Sequence, residues 1–183
     1  MVFYIVIKMA FISQTGFIKK DSMELKEINF SVEVYTSLSH LKADDQALLQ
    51  AARKITANAY APYSNFLVGA VALLADGAII SGTNQENASY PVGICAERVL
   101  LSAAATIHPG IAINSMAISY NNVNGASNNP ISPCGICRQS LAEYEIRTNQ
   151  PIRLILSGLD GEVFIIQKAS LLLPLSFNAG AMK

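Results

Sequence analysis

FLVGAVALLADGAIISGTN, residues 66–84, decides the fold. Its two apolar runs, FLVGAVALLA and AIISGTN, flank Asp76-Gly77, a dipeptide that favours the tight turn of a β-hairpin. The polar loop QENASYPVG (85–93) then leads into CAERVLLSAAATI (95–107), whose Ala and Leu content suits a helix. Upstream, Asp44 or Asp45 can cap a helix through QALLQAARKITANAY (46–60), which Pro62 ends. Downstream, residues 111–120 read as a strand and NNVNGASNNPIS (121–132) as a loop, followed by a second helix, CGICRQSLAEYEIR (134–147). IRLILSG (152–158) and VFIIQ (163–167) are strands about Asp160-Gly161, and KASLLLP (168–174) closes with a short helix. This order predicts an α/β fold: a three-layer αβα sandwich, with a mixed five-stranded sheet and helices on both faces. Residues 28–35, INFSVEVY, alternate apolar and polar, as a short strand or arm would.

The chain's 183 residues suit one domain with a real core. Hydrophobic residues make up 51% and charged residues 14%, the latter well below the roughly one quarter usual in soluble domains. That balance favours an oligomer whose interfaces cover apolar surface a small monomer would expose. Net charge is zero, the pI is about 6.7, and Lys and Arg form no cluster, which argues against a phosphate-backbone binder. Any nucleic-acid-like ligand is therefore a nucleoside rather than a polymer. Residues 1–12, MVFYIVIKMAFI, are apolar but interrupted by Lys8, too short to span a bilayer, and without the flanks of a signal peptide. The expectation is a cytoplasmic protein with no membrane association, its native start at Met23. Residues 1–43 read as an N-terminal extension, partly disordered, ahead of a catalytic domain over 44–183.

Three cysteines are an odd number, and their placement is specific. Cys95-Ala96-Glu97-Arg98 opens one helix, and Pro133-Cys134-Gly135-Ile136-Cys137-Arg138-Gln139 opens the other. At a helix start, unpaired N–H groups and the positive end of the dipole stabilise a thiolate, the form that binds zinc. Cys134 and Cys137 stand one turn apart on one face. Cys95 makes a third ligand and leaves a tetrahedral position open, the catalytic rather than the structural pattern. A structural zinc site would want a fourth ligand, and neither His40 nor His108 follows a ligand spacing. Glu97, two residues past Cys95, can carry a proton to and from water at the open position. Arg98 and Arg138 can temper the charge of three thiolates. A thiol–disulfide pair would use the Cys-x-x-Cys alone and leave Glu97 and Pro133 unexplained.

Cys95-x-Glu97…Pro133-Cys134-x-x-Cys137 matches the zinc nucleobase deaminase signature, with cysteine in place of its histidine. AYAPYSNFLVGA (59–70), GTNQENASYP (82–91) and SPCGICRQSLAEY (132–144) narrow the match. Over residues 44–177 the chain resembles the free-nucleoside cytidine deaminases, in their small three-cysteine branch. The resemblance implies one zinc ion per chain on Cys95, Cys134 and Cys137, with Glu97 as proton shuttle. It implies that Asn84 and Glu86 hold the ribose hydroxyls and that Phe66 lines the pyrimidine pocket. Tyr90 would reach a neighbouring subunit's ligand, and Phe177 would meet the base across a subunit boundary, in a homotetramer with shared active sites. The implied reaction is hydrolytic deamination of free cytidine and deoxycytidine, as in pyrimidine salvage. On pattern alone Phe66 reads as core, Asn84 and Glu86 as loop polars, Tyr90 as interface filler and Phe177 as a core plug. Gln85 and Pro91 depart from the usual loop residues beside the ribose pair. A deaminase of blasticidin S would lack the run Asn84-Gln85-Glu86-Asn87, and a polynucleotide-editing deaminase would carry a basic strand-binding surface.

Overall fold

The computed structural model describes residues 23–182, so the expectations for residues 1–22 lie outside the described residues. Nine regular elements follow in the order β1 (Glu33–Tyr35), α1 (Ala43–Ile55), β2 (Phe66–Leu74), β3 (Ile79–Thr83), α2 (Ala96–Ile107), β4 (Ile113–Asn122), α3 (Gly135–Thr148), β5 (Arg153–Ser157) and β6 (Val163–Ile166). The sheet is mixed, in the order β1-β6-β5-β4-β2-β3, with β4–β5 its parallel pair and the other neighbours antiparallel. It has six strands rather than the expected five. The extra strand is β1, whose three residues pair with β6 and cover what would be an open edge. Within the alternating stretch 28–35, only 33–35 reach that edge, and alternation alone does not locate the partner. Tyr35 and Leu38 then pack on the core, and Leu41 belongs to it.

The strands read as near-continuous apolar runs because both sheet faces are covered. Ala70, Ala72 and Leu74 of β2, Met116 and Ile118 of β4, and Leu154 and Leu156 of β5 face α2 and α3. Val71, Ala117 and Ile155 point the other way and meet Leu48, Leu49 and Ala52 of α1. This is the expected three-layer sandwich. Helix α1 departs from its sequence reading at both ends. Lys42, not an aspartate, occupies the N-cap position, and Asp44 and Asp45 lie in the first turn. Asp45 is drawn instead into a two-pronged ion pair with Arg153 of β5, at 2.6 and 2.8 Å, which ties α1 to the sheet. The helix stops at Ile55, tightens into the 3-10 turn Thr56–Asn58, and releases Tyr60 to bridge Gln85. The closing KASLLLP helix is a single 3-10 turn, Ala169–Leu172. No helix among the described residues is long and apolar enough to cross a membrane.

Two contacts set the direction of the helices on the α2/α3 face. Helix α2 lies directly on β3, since a Cβ on Gly82 would fall 2.5 Å from the Ala96 carbonyl oxygen and 2.6 Å from the Leu100 nitrogen. Helix α3 is the crossover between parallel β4 and β5, so it runs back along β4. Near its end, the Tyr144 hydroxyl donates to the Ile111 carbonyl just before β4 starts, at 3.0 Å. Both helix N-termini therefore hang over the same end of the sheet, where β2 begins and β4 finishes. Gly82→Ala should lower unfolding stability by about 1–3 kcal/mol, as overpacking does. Denaturant unfolding checks this, and an unchanged midpoint would contradict the direct helix–strand contact.

Candidate active site

Cys95 is the N-cap residue of α2, Cys134 is that of α3, and Cys137 lies in the first turn of α3. Their sulfurs converge. Cys95 Sγ and Cys134 Sγ are 3.8 Å apart, and Cys134 Sγ and Cys137 Sγ 3.5 Å. Two thiolates at ~2.3 Å from a tetrahedral zinc ion stand about 3.8 Å apart, so the spacing fits. Among the described residues this is the one cluster of three potential ligands, its atoms all within 4.8 Å of one another. Cys137 is buried, Cys95 half-buried and Cys134 exposed, which leaves one side of the cluster open. The histidines lie elsewhere: His108 bonds Asp76 at the hairpin turn, and His40 bonds Thr36. The neighbouring Cys137 thiol holds the Cys95 thiol down at about 6, and the same proximity together with burial pushes Cys137 up. Zinc would bind the deprotonated sulfurs and displace their protons.

Glu97 sits in the first turn of α2 and is only 5% exposed. Burial raises its carboxyl above the ordinary range, while its own backbone N–H and the Cys137 thiol act against that rise. A buried carboxyl in contact with a ligand sulfur is placed to take up and return a proton. The charge of Arg98 helps to lower the Cys95 thiol. Arg138 donates from Nε to the Pro133 carbonyl at 2.7 Å and from Nη1 to the Leu172 carbonyl at 3.1 Å. It thereby joins the turn before Cys134 to the C-terminal segment.

Asn84 and Glu86 are built into a rib beside the cluster. Asn84 accepts the Val68 N–H at 2.7 Å and donates to the Phe66 carbonyl at 2.8 Å, extending the hairpin ladder with a side chain. Gln85 exchanges backbone bonds with Ile94, the neighbour of Cys95, at 2.9 and 3.0 Å. On its other side Tyr60 donates to the Asn84 carbonyl and accepts from the Glu86 N–H, at 3.0 and 2.8 Å. Glu86 accepts the N–H groups of Tyr63 and Ser64, at 2.9 and 3.3 Å. The Ser64 hydroxyl and then these amides hold its carboxyl below the ordinary range. Asn84 keeps one N–H and a lone pair, and Glu86 keeps Oε1. Phe66 is half-buried at the start of β2 and stacks on Tyr120, a residue that no spacing in the sequence singles out. Tyr90 and Phe177 stay outward, 76% and 62% exposed. Tyr90 meets Tyr63 edge-on, and the Phe177 carbonyl accepts from Gln139 at 2.9 Å.

Comparison with known proteins agrees with this chemistry. The family described as "Cytidine and deoxycytidylate deaminase zinc-binding region" matches residues 42–150. The chain is 38% identical over 139 residues to a cytidine deaminase of Halalkalibacterium halodurans, covering 76% of this chain and 98% of that protein. It is 37% identical over 105 residues to a cytidine deaminase of Mycobacterium tuberculosis, covering 56% of this chain and 74% of that protein. The crystal structure of a cytidine deaminase from Burkholderia pseudomallei superposes with a TM-score of 0.63 at 36% identity, covering 75% of this chain and 100% of that one.

The three sulfurs should act as one ligand set. Wild-type protein is expected to bind zinc in a one-to-one ratio, and Cys137→Ala to lose most of it, as read by atomic emission. Returning zinc to stripped wild-type protein should release protons into a weakly buffered indicator solution. Full zinc content in Cys137→Ala would rule out the cluster as the metal site.

Proposed function

This chain belongs to the cytidine and deoxycytidylate deaminase family, and from that premise we propose that it hydrolyses free cytidine and deoxycytidine to uridine and deoxyuridine, releasing ammonia. The observation that carries this reading is the convergence of three cysteine sulfurs, all within 4.8 Å of one another, beside a buried carboxyl. Zinc, when bound to Cys95, Cys134 and Cys137, supplies the Lewis acidity that makes water a nucleophile near neutral pH. Glu97 takes the proton from the water that attacks C4 of the cytosine ring and passes it to N3. It then carries the proton of the new C4 hydroxyl to the exocyclic amine, the bond from C4 to that nitrogen breaks, and ammonia leaves. Burial suits Glu97 to this task, because a carboxyl whose pKa is raised gives its proton back readily.

The remaining residues bind and orient. Phe66 walls the pyrimidine pocket. The unspent N–H of Asn84 and Oε1 of Glu86 take the ribose hydroxyls, held toward the site by the rib that runs into Cys95. Arg98 offsets part of the thiolate charge, and Arg138 steadies the turn that presents Cys134. Tyr90 and Phe177, exposed in the single chain, reach the sites of neighbouring copies in a homotetramer. Support for that assembly is the low charged content and the exposure of further apolar side chains, Val92, Ile136 and Leu175 among them. The catalytic unit spans residues 44–183, and the protein works in the cytoplasm, in pyrimidine salvage.

Glu97→Gln should keep its zinc and lose activity on cytidine by several orders of magnitude, followed by the loss of absorbance as cytidine becomes uridine. An active Glu97→Gln would remove the proton shuttle from the mechanism. Offered cytidine, deoxycytidine and single-stranded DNA, the wild-type protein should turn over the free nucleosides. Turnover of DNA alone would overturn the substrate assignment.

A further inference from the structure

We propose that Tyr120 is a positioning residue of the base pocket, a rigid backing that fixes the Phe66 ring in the plane the cytosine meets. The proposal deepens the reading of Phe66 as a pocket wall and rests on it. The two rings are stacked, with centroids 4.8 Å apart and planes inclined by 15°. Phe66 opens β2 and Tyr120 lies near the end of β4. The register sets Val68 opposite Tyr120 and Phe66 opposite Asn122, so the rings meet along the diagonal of the strand pair. Both share the sheet face that carries α2 and α3, at the end over which the two cysteine-bearing helices begin. Tyr120 is 6% exposed and Phe66 half-buried, so one ring belongs to the core and the other stands between the core and the site.

The backbone of Phe66 is already fixed. Its N–H donates to Ser64 Oγ at 3.1 Å and its carbonyl accepts from Asn84 at 2.8 Å. Asn65, just before it, holds a left-handed φ of 56° and accepts the Val123 N–H at 3.0 Å. What these bonds leave free is rotation of the ring about its side-chain torsions. Tyr120 removes that freedom from an interior strand whose next residue back, Ser119, is anchored by a bond to the Gly158 carbonyl at 3.0 Å. A ring ordered before the ligand arrives loses no rotamer entropy on binding. The contact between ring and base is alike in the ground and transition states, so its loss appears in KM rather than in kcat.

The test is a double-mutant cycle on the full chain with zinc bound, using cytidine as substrate. Tyr120→Leu should raise KM roughly three- to tenfold with kcat within about twofold, while Tyr120→Phe, which keeps the stack, should restore the wild-type KM. In a Phe66→Leu background, Tyr120→Leu should add nothing further to KM. Tyr120→Met serves in the same cycle if the leucine variant does not fold. A fall in kcat or in thermal stability with KM unchanged, or KM effects that add across the cycle, would overturn the proposal. If Phe66→Leu itself leaves KM unchanged, the assignment of Phe66 to the pocket fails and takes this one with it. A rise in KM for Phe66→Leu alone, with none for the Tyr120 variants, defeats only the backing role.

Discussion

Everything in this site depends on two helix N-termini being brought to one point above the sheet. Three thiolates sharing one ion must lie within about 4 Å of one another, and no single helix can offer them from one turn. Cys134 and Cys137 come from α3, and Cys95 comes from α2. Their meeting requires both helices to start over the same end of the sheet, at nearly the same height. On the α2 side, Gly82 permits this by letting helix backbone touch strand backbone. On the α3 side, the parallel pairing of β4 with β5 obliges the crossover to begin where β4 ends. The same placement turns the positive ends of both helix dipoles toward the thiolates, which lowers the cost of ionising them.

Holding α3 at the right height takes a second device, at its far end. Glu145 is 5% exposed and accepts the N–H groups of Ile152 at 2.8 Å, Ala169 at 2.9 Å and Ser170 at 3.2 Å. One buried carboxylate thus closes the helix onto the start of β5 and onto the last 3-10 turn. Hydrogen bonds to a charged acceptor are the stronger kind, and leaving such a carboxylate unpartnered would cost several kcal/mol. Arg138 repeats the arrangement at the near end, where its bond to Leu172 brings the same C-terminal segment back toward the cysteines. The segment that carries Phe177 is therefore strapped along α3 at both ends.

The sequence made the metal cluster and the layer order legible because both are written in local signals. A hairpin dipeptide, two cysteine-led helices and apolar runs of strand length are each readable within a dozen or so residues. The sixth strand was less legible, since three residues of β1 earn their place from the open edge of β6, far along the chain. The aspartates at the start of α1 looked like caps because a cap is the commonest use of Asp there. Tertiary structure gave Asp45 a better partner in Arg153. Residue spacing could name Asn84 and Glu86 only through a family resemblance. It could not show that Gln85, between them, is the residue that locks their loop to Ile94 and so to Cys95. Tyr120 was invisible for the same reason: an aromatic in a strand reads as core until its stacking partner is known.

Charge around the site narrows what it can admit. Three thiolates on a divalent ion carry a net charge of −1, and Glu86 is held ionised at the rib by the Ser64 hydroxyl and neighbouring amides. Of the two arginines that follow the cysteines, Arg138 commits two donors to carbonyls and Arg98 acts on Cys95. An anion entering beside Glu86 would be repelled by its carboxylate. A neutral hydroxyl there could donate to Glu86 Oε1 and accept the second N–H of Asn84. The negative charge of Glu86 beside the thiolate cluster thus disfavours an anionic group at the rib and leaves that side of the site to neutral hydrogen-bonding groups.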